Sequence, residues 1–142
     1  MTNYESEVKT IFSNIQKVFN QLSDLTNLKS LLEGNESVVK DKLKDLQFDA
    51  DSFNFSIETF GKIGFRITER RPFEIVKFQS EYFPVKINVW IRLNQTAENE
   101  TNMKLSIEAD IPLMLKMMVD SKLKEMVNLM ADTISSTLNV NN

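Results

Sequence analysis

The stretch from Pro112 to Leu138 carries the longest uninterrupted helical pattern in the sequence, PLMLKMMVDSKLKEMVNLMADTISSTL. It contains no glycine, and its proline stands at the first position, where the backbone N–H has no partner within a helix. At about 1.5 Å per residue, a helix of roughly 27 residues would be about 40 Å long, enough to cross a small domain. Its apolar residues recur mostly three and four positions apart and therefore share one face: Leu115, Met118, Val119, Met126, Leu129, Met130, Ile134 and Leu138.

Polar residues occupy the positions opposite this apolar face: Lys116, Asp120, Lys124, Asn128, Asp132 and Ser136. A helix with this pattern lies with one side on the rest of the protein and faces water with the other. Five of the seven methionines fall within it. The surface that the apolar face covers therefore decides what the protein does.

The first part of the chain predicts one strand and two short helices. Residues 2–11 alternate loosely and predict a strand with Tyr4, Ser6, Val8 and Thr10 on one face. Ser13 is the expected N-cap of a helix whose apolar residues have helical spacing from Ile15 to Leu22. A second short helix is expected from Leu25 to Leu32. Residues 37–46 are charged and weakly amphipathic, and they fit either a short helix or a connector.

From Asp51 onward the hydrophobic period changes from that of a helix to that of a strand. Apolar and polar residues alternate through five segments, separated by turn signals such as Arg71-Pro72 and the polar run at residues 94–102. Each segment has one apolar face, as in an antiparallel meander that is covered on one side. The expected inward positions are Phe53, Phe55, Ile57, Ile63, Phe65, Ile67, Val85, Ile87, Val89, Ile91, Leu105 and Ile107.

These patterns together predict an α+β fold. A curved antiparallel sheet of about six to seven strands would wrap around the long C-terminal helix, with two short helices after the first strand. A flatter sheet with the helix laid across it is the alternative. With 142 residues and no internal repeat or interdomain linker, the chain is expected to form one domain over residues 1–142.

The absence of histidine and cysteine excludes several kinds of chemistry. Serine and cysteine catalytic triads and the usual zinc, haem and iron–sulfur sites need these residues. The glutamate pairs Glu5 and Glu7, and Glu98 and Glu100, have no arrangement that favours a metal site or an acid–base pair, so no metal and no cofactor are expected.

Net charge and hydropathy limit the partners and the location. A net charge of −3 does not favour nucleic acid as a partner. No apolar run approaches the roughly 18 residues needed to span a bilayer, so stable membrane insertion is not expected. Because the sequence has no cysteine and no signal-peptide pattern after Met1, we expect a cytoplasmic location.

The order of elements and two segments resemble the START-like, or SRPBCC, superfamily, which has the helix-grip (Bet v 1-like) fold and includes polyketide cyclase-like proteins. The segments are VKTIFSNIQKVFNQLSDLTNL at residues 8–28 and ADIPLMLKMMVDSKLKEMVNLMADTIS at residues 109–135. The resemblance covers nearly the whole chain and implies a deep cavity between the sheet and the C-terminal helix. Across the superfamily this cavity holds lipids, sterols, polyketides and other apolar molecules. A few members are cyclases, hydroxylase domains or co-chaperone activators. The oxygenase branch is excluded here because the chain has no iron–sulfur ligands.

We therefore predict non-catalytic binding of a small hydrophobic molecule, lipid-like or polyketide-like, in this cavity. Methionine and phenylalanine at these spacings belong more often to an ordinary core than to a cavity wall. The polar candidates near the rim, namely Tyr4, Ser6, Thr10, Thr59, Gln79 and Tyr82, have no obvious base beside them, which favours a role without catalysis. The predicted ligand-binding residues are Phe53, Phe55, Phe65, Ile87, Val89, Ile91, Leu105, Ile107, Met114, Leu115, Met118, Met126 and Met130.

The alternative hypothesis is a protein-interaction module with a vestigial cavity and a surface site around Trp90. By alternation Trp90 falls on the polar face of its strand, and tryptophan is enriched at interface hot spots. A long neighbouring side chain that covers the ring, or a bulge that turns it inward, would explain the same pattern without a partner. The charged segments 69–71 and 40–44 are interpreted as solvated surface.

Overall fold

The computed structural model describes residues 2–33, 44–57, 61–83 and 85–140. Within these ranges an eight-stranded antiparallel sheet packs against a long C-terminal helix. The strand order is β1-β8-β7-β6-β5-β4-β3. β1 and β2 pair with different parts of β8, so the eight described strands lie side by side in seven rows. This arrangement confirms the predicted helix-grip fold. The strands are β1 (Thr2–Glu5), β2 (Lys9–Ile11), β3 (Lys44–Phe48), β4 (Ser52–Ile57), β5 (Gly61–Arg71), β6 (Ile75–Glu81), β7 (Ile87–Ala97) and β8 (Glu100–Ala109), and the helices are α1 (Ile15–Ser23), α2 (Leu25–Glu33) and α3 (Leu113–Val140).

The predicted first strand is in fact two strands, because the chain leaves the regular ladder around Ser6. Ser6 still binds β8: its N–H donates to the carbonyl of Leu105, and its hydroxyl oxygen accepts from the N–H of Leu105, both at 2.9 Å. The irregularity shifts the alternation of side chains. As a result Tyr4 and Ile11 are both buried, whereas Val8, predicted to share a face with Tyr4, is 55% exposed.

The N-cap of α1 is Asn14 instead of the predicted Ser13. The Asn14 side chain accepts a hydrogen bond from the backbone N–H of Lys17 at 2.9 Å, which satisfies one of the unpaired donors of the first turn. Ser13 is buried, and its carbonyl accepts a hydrogen bond from the Thr101 hydroxyl at 2.8 Å. The helical spacing of the apolar residues was predicted correctly, because α1 buries Val18, Phe19 and Leu22.

The strands differ from the predicted pattern in three regions of the chain. Residues 44–48 form β3, paired with β4, where the sequence fitted a short helix or a connector; residues 37–43 lie outside the described ranges. β6 was predicted from Phe73 but begins at Ile75, because Phe73 lies in the preceding turn with a positive φ of 67°. β7 and β8 continue into the segment predicted as a polar turn, since the two strands stay paired as far as Ala97 and Glu100, and Thr101 is fully buried.

α3 packs mainly against β8, β2 and β1. The residues that it buries include Leu123, Val127, Ala131 and Leu138. The helix begins directly after Pro112, whose carbonyl accepts hydrogen bonds from the N–H groups of residues 115 and 116 at 2.9 and 3.0 Å. The long helix is therefore seated on the β1 side of the sheet.

A line of polar contacts, here called the edge contacts, ties α3 to β1, β2 and the chain around them. Three residues of α3 that were predicted only to face water, Asp120, Asn128 and Asp132, also take part in these contacts. The contacts are Tyr4 hydroxyl to Asp120 Oδ1 at 2.5 Å, Glu7 N–H to Asn128 Oδ1 at 3.2 Å, Lys9 Nζ to Asp132 Oδ1 at 2.5 Å, Phe12 N–H to Asn139 Oδ1 at 2.9 Å, and Asn139 Nδ2 to the Thr10 carbonyl at 3.0 Å.

We expect Asn139→Ala to lower the free energy of unfolding by about 1–2 kcal/mol, because it leaves the Thr10 carbonyl and the Phe12 N–H without their partner. Urea unfolding measures the change. Ser136→Ala, at an exposed position of the same helix, is the matched control and should change stability by less than about 0.5 kcal/mol. Equal effects of the two substitutions would contradict a stabilising role for the Asn139 contacts.

The Tyr4–Asp120 contact predicts a dependence of stability on pH. Burial and the hydrogen bond to Asp120 raise the pKa of Tyr4 to about 12, and the same hydrogen bond lowers the pKa of the Asp120 carboxyl. The folded state therefore favours protonated Tyr4, and this stabilisation is present below the unfolded-chain pKa of about 10 and is lost as the pH rises towards 12. The stability difference between wild type and Tyr4→Phe, measured by urea unfolding, should be constant near neutral pH and shrink above about pH 10. A difference that does not change up to pH 12 would contradict this assignment.

Candidate functional site

A cavity of about 260 Å³ lies between α3 and the inner face of β3–β7. It exists because α3 makes its main contacts with β8, β2 and β1, while the curved sheet continues on the other side of the helix. The described residues that line it are Leu22, Leu46, Phe48, Phe53, Phe55, Ile63, Phe65, Phe78, Phe83, Ile87, Val89, Ile91, Val119, Lys122, Leu123, Glu125, Met126, Leu129, Met130, Thr133 and Ile134.

Five phenylalanines from β3, β4, β5 and β6 form one side of the cavity, here called the aromatic wall. Strand register brings them together, since Phe53 lies opposite both Phe48 and Phe65 in its two neighbouring strands. The ring centroid of Phe53 is 5.8 Å from Phe48, 6.0 Å from Phe55, 5.6 Å from Phe65 and 5.9 Å from Phe78. These separations lie in the range that aromatic pairs prefer, so the wall is a packed surface.

α3 forms the opposite side of the cavity with residues at helical spacing. Met126, Leu129 and Met130 are half-buried, and Val119 and Ile134 extend the same face. Unbranched methionine side chains adapt to cavities of irregular shape. The two sides therefore differ: the aromatic wall is packed ring against ring, and the helix side is adaptable.

Three residues of the lining are polar. Lys122 and Glu125 are exposed, so the cavity reaches solvent beside them. Thr133 is 9% exposed and lies deeper, between apolar neighbours. In the described part of the chain its hydroxyl has no hydrogen-bond partner. The arrangement can accept an apolar molecule, with few positions that could orient it.

Residues 9–141 match the model of the family named for CoxG, a subunit of carbon monoxide dehydrogenase. The chain belongs to the CoxG family. Family and fold together confirm the relationship to the START/SRPBCC superfamily that the sequence indicated. No curated protein sequence matches this CoxG-family chain.

Solved structures share this fold at low sequence identity. Norcoclaurine synthase from Thalictrum flavum, in complex with dopamine and hydroxybenzaldehyde, superimposes with a TM-score of 0.77 at 12% identity, covering 99% of this chain and 88% of that one. A conserved protein from Geobacillus kaustophilus gives 0.64 at 13% identity, with 99% and 94% covered. The Aha1 dimer from Colwellia psychrerythraea gives 0.58 at 17% identity, with 99% and 98% covered. At these identities the likeness shows the fold alone.

None of the described helices of this CoxG-family chain, α3 included, has an apolar stretch that could cross a lipid bilayer. Across the same described ranges, no group of three or more acidic side chains is placed to hold a metal ion.

Most of the residues predicted to bind ligand line the cavity. Leu105 and Ile107 do not, although both are fully buried, because β8 lies directly beneath α3 and the helix fills the space over them. The predicted residues that do line it are Phe53, Phe55, Phe65, Ile87, Val89, Ile91, Met126 and Met130.

Met114, Leu115 and Met118 were also predicted to line the cavity, and the structure does not place them there. They are 85%, 39% and 72% exposed. Helical spacing shows which residues share a face, but it does not show how far along the helix the sheet extends. The apolar residues of α3 are exposed as far as Met118 and half-buried or buried from Val119 to Leu138, so the first turns of the helix project beyond the sheet.

Several lining residues were missed from the sequence. Leu46 and Phe48 lie in β3, a strand that the hydrophobic pattern did not predict. Phe78 shares a face of β6 with Val76, and the alternation of that strand could have identified it. Thr133 follows Met130 by three residues, a spacing that places both on one face of the helix.

The polar candidates that the structure describes, Tyr4, Ser6, Thr10, Gln79 and Tyr82, lie outside the cavity lining. Tyr4 binds Asp120, Ser6 binds β8 and Thr10 donates to Asn102 Oδ1 at 3.2 Å, while Thr59 lies outside the described ranges. Gln79 is half-buried and Tyr82 is 65% exposed.

Long side chains cover Trp90, the centre of the alternative surface site. Lys77 Nζ lies 5.1 Å from the ring centroid and the guanidinium of Arg92 lies 5.9 Å from it, and the indole is half-buried. The arginines of segment 69–71 are likewise engaged, because Arg70 binds Asp51 at 2.6 Å and Arg71 binds Glu69 at 2.9 Å. These groups therefore belong to the solvated outer surface.

A pair of neighbouring substitutions distinguishes a real cavity from ordinary core. Met126→Phe should leave the free energy of unfolding within about 0.5 kcal/mol of wild type or raise it, because the ring can enter the cavity. Val127→Phe should lower it by about 1–3 kcal/mol, because Val127 is fully buried where α3 packs closely. Urea unfolding measures both. Similar losses for both variants would show that the space beside Met126 is closed.

Proposed function

We propose that this CoxG-family protein binds a small hydrophobic molecule, lipid-like or polyketide-like, in the cavity beneath α3, without transforming it. The observation that carries the proposal is a preformed cavity with an aromatic wall on one side and methionines on the other. Pockets of this kind bind apolar ligands mainly by removing ligand surface from water. Burial of about 200 Å² of apolar ligand surface would contribute ~5 kcal/mol, before the entropic cost of association.

The size of the cavity limits the ligand. Its 260 Å³ is slightly below the roughly 300–1,000 Å³ of pockets for drug-sized molecules. A compact molecule fits without rearrangement, and a longer one requires Met126 and Met130 to change rotamer. The exposed Lys122 and Glu125 mark the side from which a ligand would enter.

The lining supports binding without catalysis. Proton transfer needs a titratable group within hydrogen-bond reach of the reacting atom. The titratable groups among the described lining residues are Lys122 and Glu125, and both lie at the exposed side of the cavity. Norcoclaurine synthase is an enzyme with this fold, but at 12% identity its activity does not extend to this chain.

The rival proposal is a protein-interaction role. The CoxG family takes its description from a component of carbon monoxide dehydrogenase, which supports association with a protein partner. Trp90 is a weak centre for such a contact, since Lys77 and Arg92 cover its ring. The exposed start of α3, where Met114 and Met117 are 85% and 88% exposed, suits a partner better. A preformed cavity favours ligand binding over this rival.

Met130→Trp tests the proposal by filling the cavity. It should weaken binding of the neutral fluorescent probe N-phenyl-1-naphthylamine at least about tenfold, because the indole takes the space of the ligand. Met117→Trp adds the same group at a position that is 88% exposed, outside the cavity, and should leave affinity unchanged. Native mass spectrometry of the purified protein should in addition detect a bound apolar molecule. Wild-type protein that binds no apolar molecule, or a Met130→Trp variant that binds as tightly as wild type, would refute the proposal.

A further inference from the structure

Thr133 is a polar group in an otherwise apolar part of the cavity. It is 9% exposed, and Met130 and Ile134 flank it in the cavity lining. The other polar lining residues, Lys122 and Glu125, lie towards solvent. Along α3, Lys122 and Thr133 are about 16 Å apart at about 1.5 Å per residue. Thr133 is therefore at the end of the cavity away from the charged side chains.

The Thr133 hydroxyl is unusual because it lacks a partner within the described part of the chain. A threonine within a helix commonly donates its hydroxyl hydrogen to the carbonyl four residues earlier. Ser135, two residues on, bonds in a related way to the Asp132 carbonyl at 3.2 Å. Among the described residues no such bond exists for Thr133, and its oxygen is not fully enclosed by protein atoms. Because this hydroxyl reaches the cavity and has no partner among the described residues, a ligand group that pairs with it there would gain affinity.

We infer that Thr133 is a specificity-determining residue that hydrogen-bonds to a neutral oxygen of the ligand, an inference that rests on the proposed function. The site then prefers an apolar molecule that carries a hydroxyl or carbonyl group over a hydrocarbon of the same shape. A hydroxyl can donate to or accept from this group in either orientation. A charged carboxylate does not fit, because the cation nearest in the lining, Lys122, is at the other end of the cavity and a lone buried charge is costly.

The aromatic wall supports a flat ligand that carries this oxygen. Phe55 and Phe65 are buried and stacked at 6.5 Å, and Phe53 lies against both. A planar ring system can lie on this surface while its substituent reaches the helix side. Aromatic contact supplies affinity, and the Thr133 hydroxyl selects among flat molecules of equal size.

Naphthol and methylnaphthalene, substituted at the same ring carbon, test the inference because they differ by a hydroxyl in place of a methyl group. Isothermal titration or displacement of the fluorescent probe gives both dissociation constants. Thr133→Val keeps the shape and removes the hydroxyl, and it should weaken naphthol binding about three- to tenfold while methylnaphthalene binds as before or more tightly. Thr133→Ser, which retains the hydroxyl, should preserve the preference for naphthol, and Ser136→Ala on the exposed side of α3 should change neither constant.

A readout without ligand separates this role from a structural one. If the Thr133 hydroxyl has no protein partner, the melting temperature of unliganded Thr133→Val should equal or exceed that of wild type. A fall in melting temperature together with an unchanged affinity ratio would overturn the inference and assign the hydroxyl to the fold. Binding of both compounds with a ratio independent of residue 133 would refute the inference and leave the proposed function standing. Failure of wild type to bind either compound would refute both.

Discussion

The edge contacts between α3 and the β1–β2 side of the sheet are the constraint on which the rest of the structure depends. They fix the helix along one flank, from the Tyr4–Asp120 hydrogen bond to the two hydrogen bonds of Asn139. Individually such exposed or half-buried contacts contribute little, but together they set the direction and rotation of a 28-residue helix. With that rotation fixed, Leu123 and Val127 are buried, and Met126 and Met130 line the cavity.

The cavity follows from this one-sided attachment. A single helix cannot stay in contact with a curved sheet across all seven rows, so the rows from β7 to β3 separate from α3. Packing among the phenylalanines gives the sheet side its own stability, since Phe53 contacts four other rings. The helix side therefore does not need to fill the space completely, and methionine there leaves room that changes of rotamer can enlarge.

Much of the fold was predictable because each helix and strand has its own characteristic spacing of apolar residues. Alternation from Phe53 to Ile67 gave the inner face of β4 and β5, and the spacing of Val18, Phe19 and Leu22 gave the buried face of α1. The wrong predictions of burial lie where the local hydrophobic period does not determine which side chains are buried. The irregularity at Ser6 shifts the alternation of buried and exposed side chains between Tyr4 and Ile11. At the start of α3, Met114 and Met118 are exposed because the sheet does not extend beneath them.

By itself the amino-acid sequence determined the kinds of element, their order and their apolar faces, and it excluded chemistry that needs histidine or cysteine, because these properties are local or compositional. Tertiary structure alone decided which apolar residues are core and which are cavity. Met126 and Val127 are adjacent apolar residues, yet Met126 lines the cavity and Val127 is fully buried. That difference depends on where the curvature of the sheet and the edge contacts place α3. The curvature and the edge contacts both depend on residues far apart in the chain, so the hydrophobic periodicity of the helix cannot predict them.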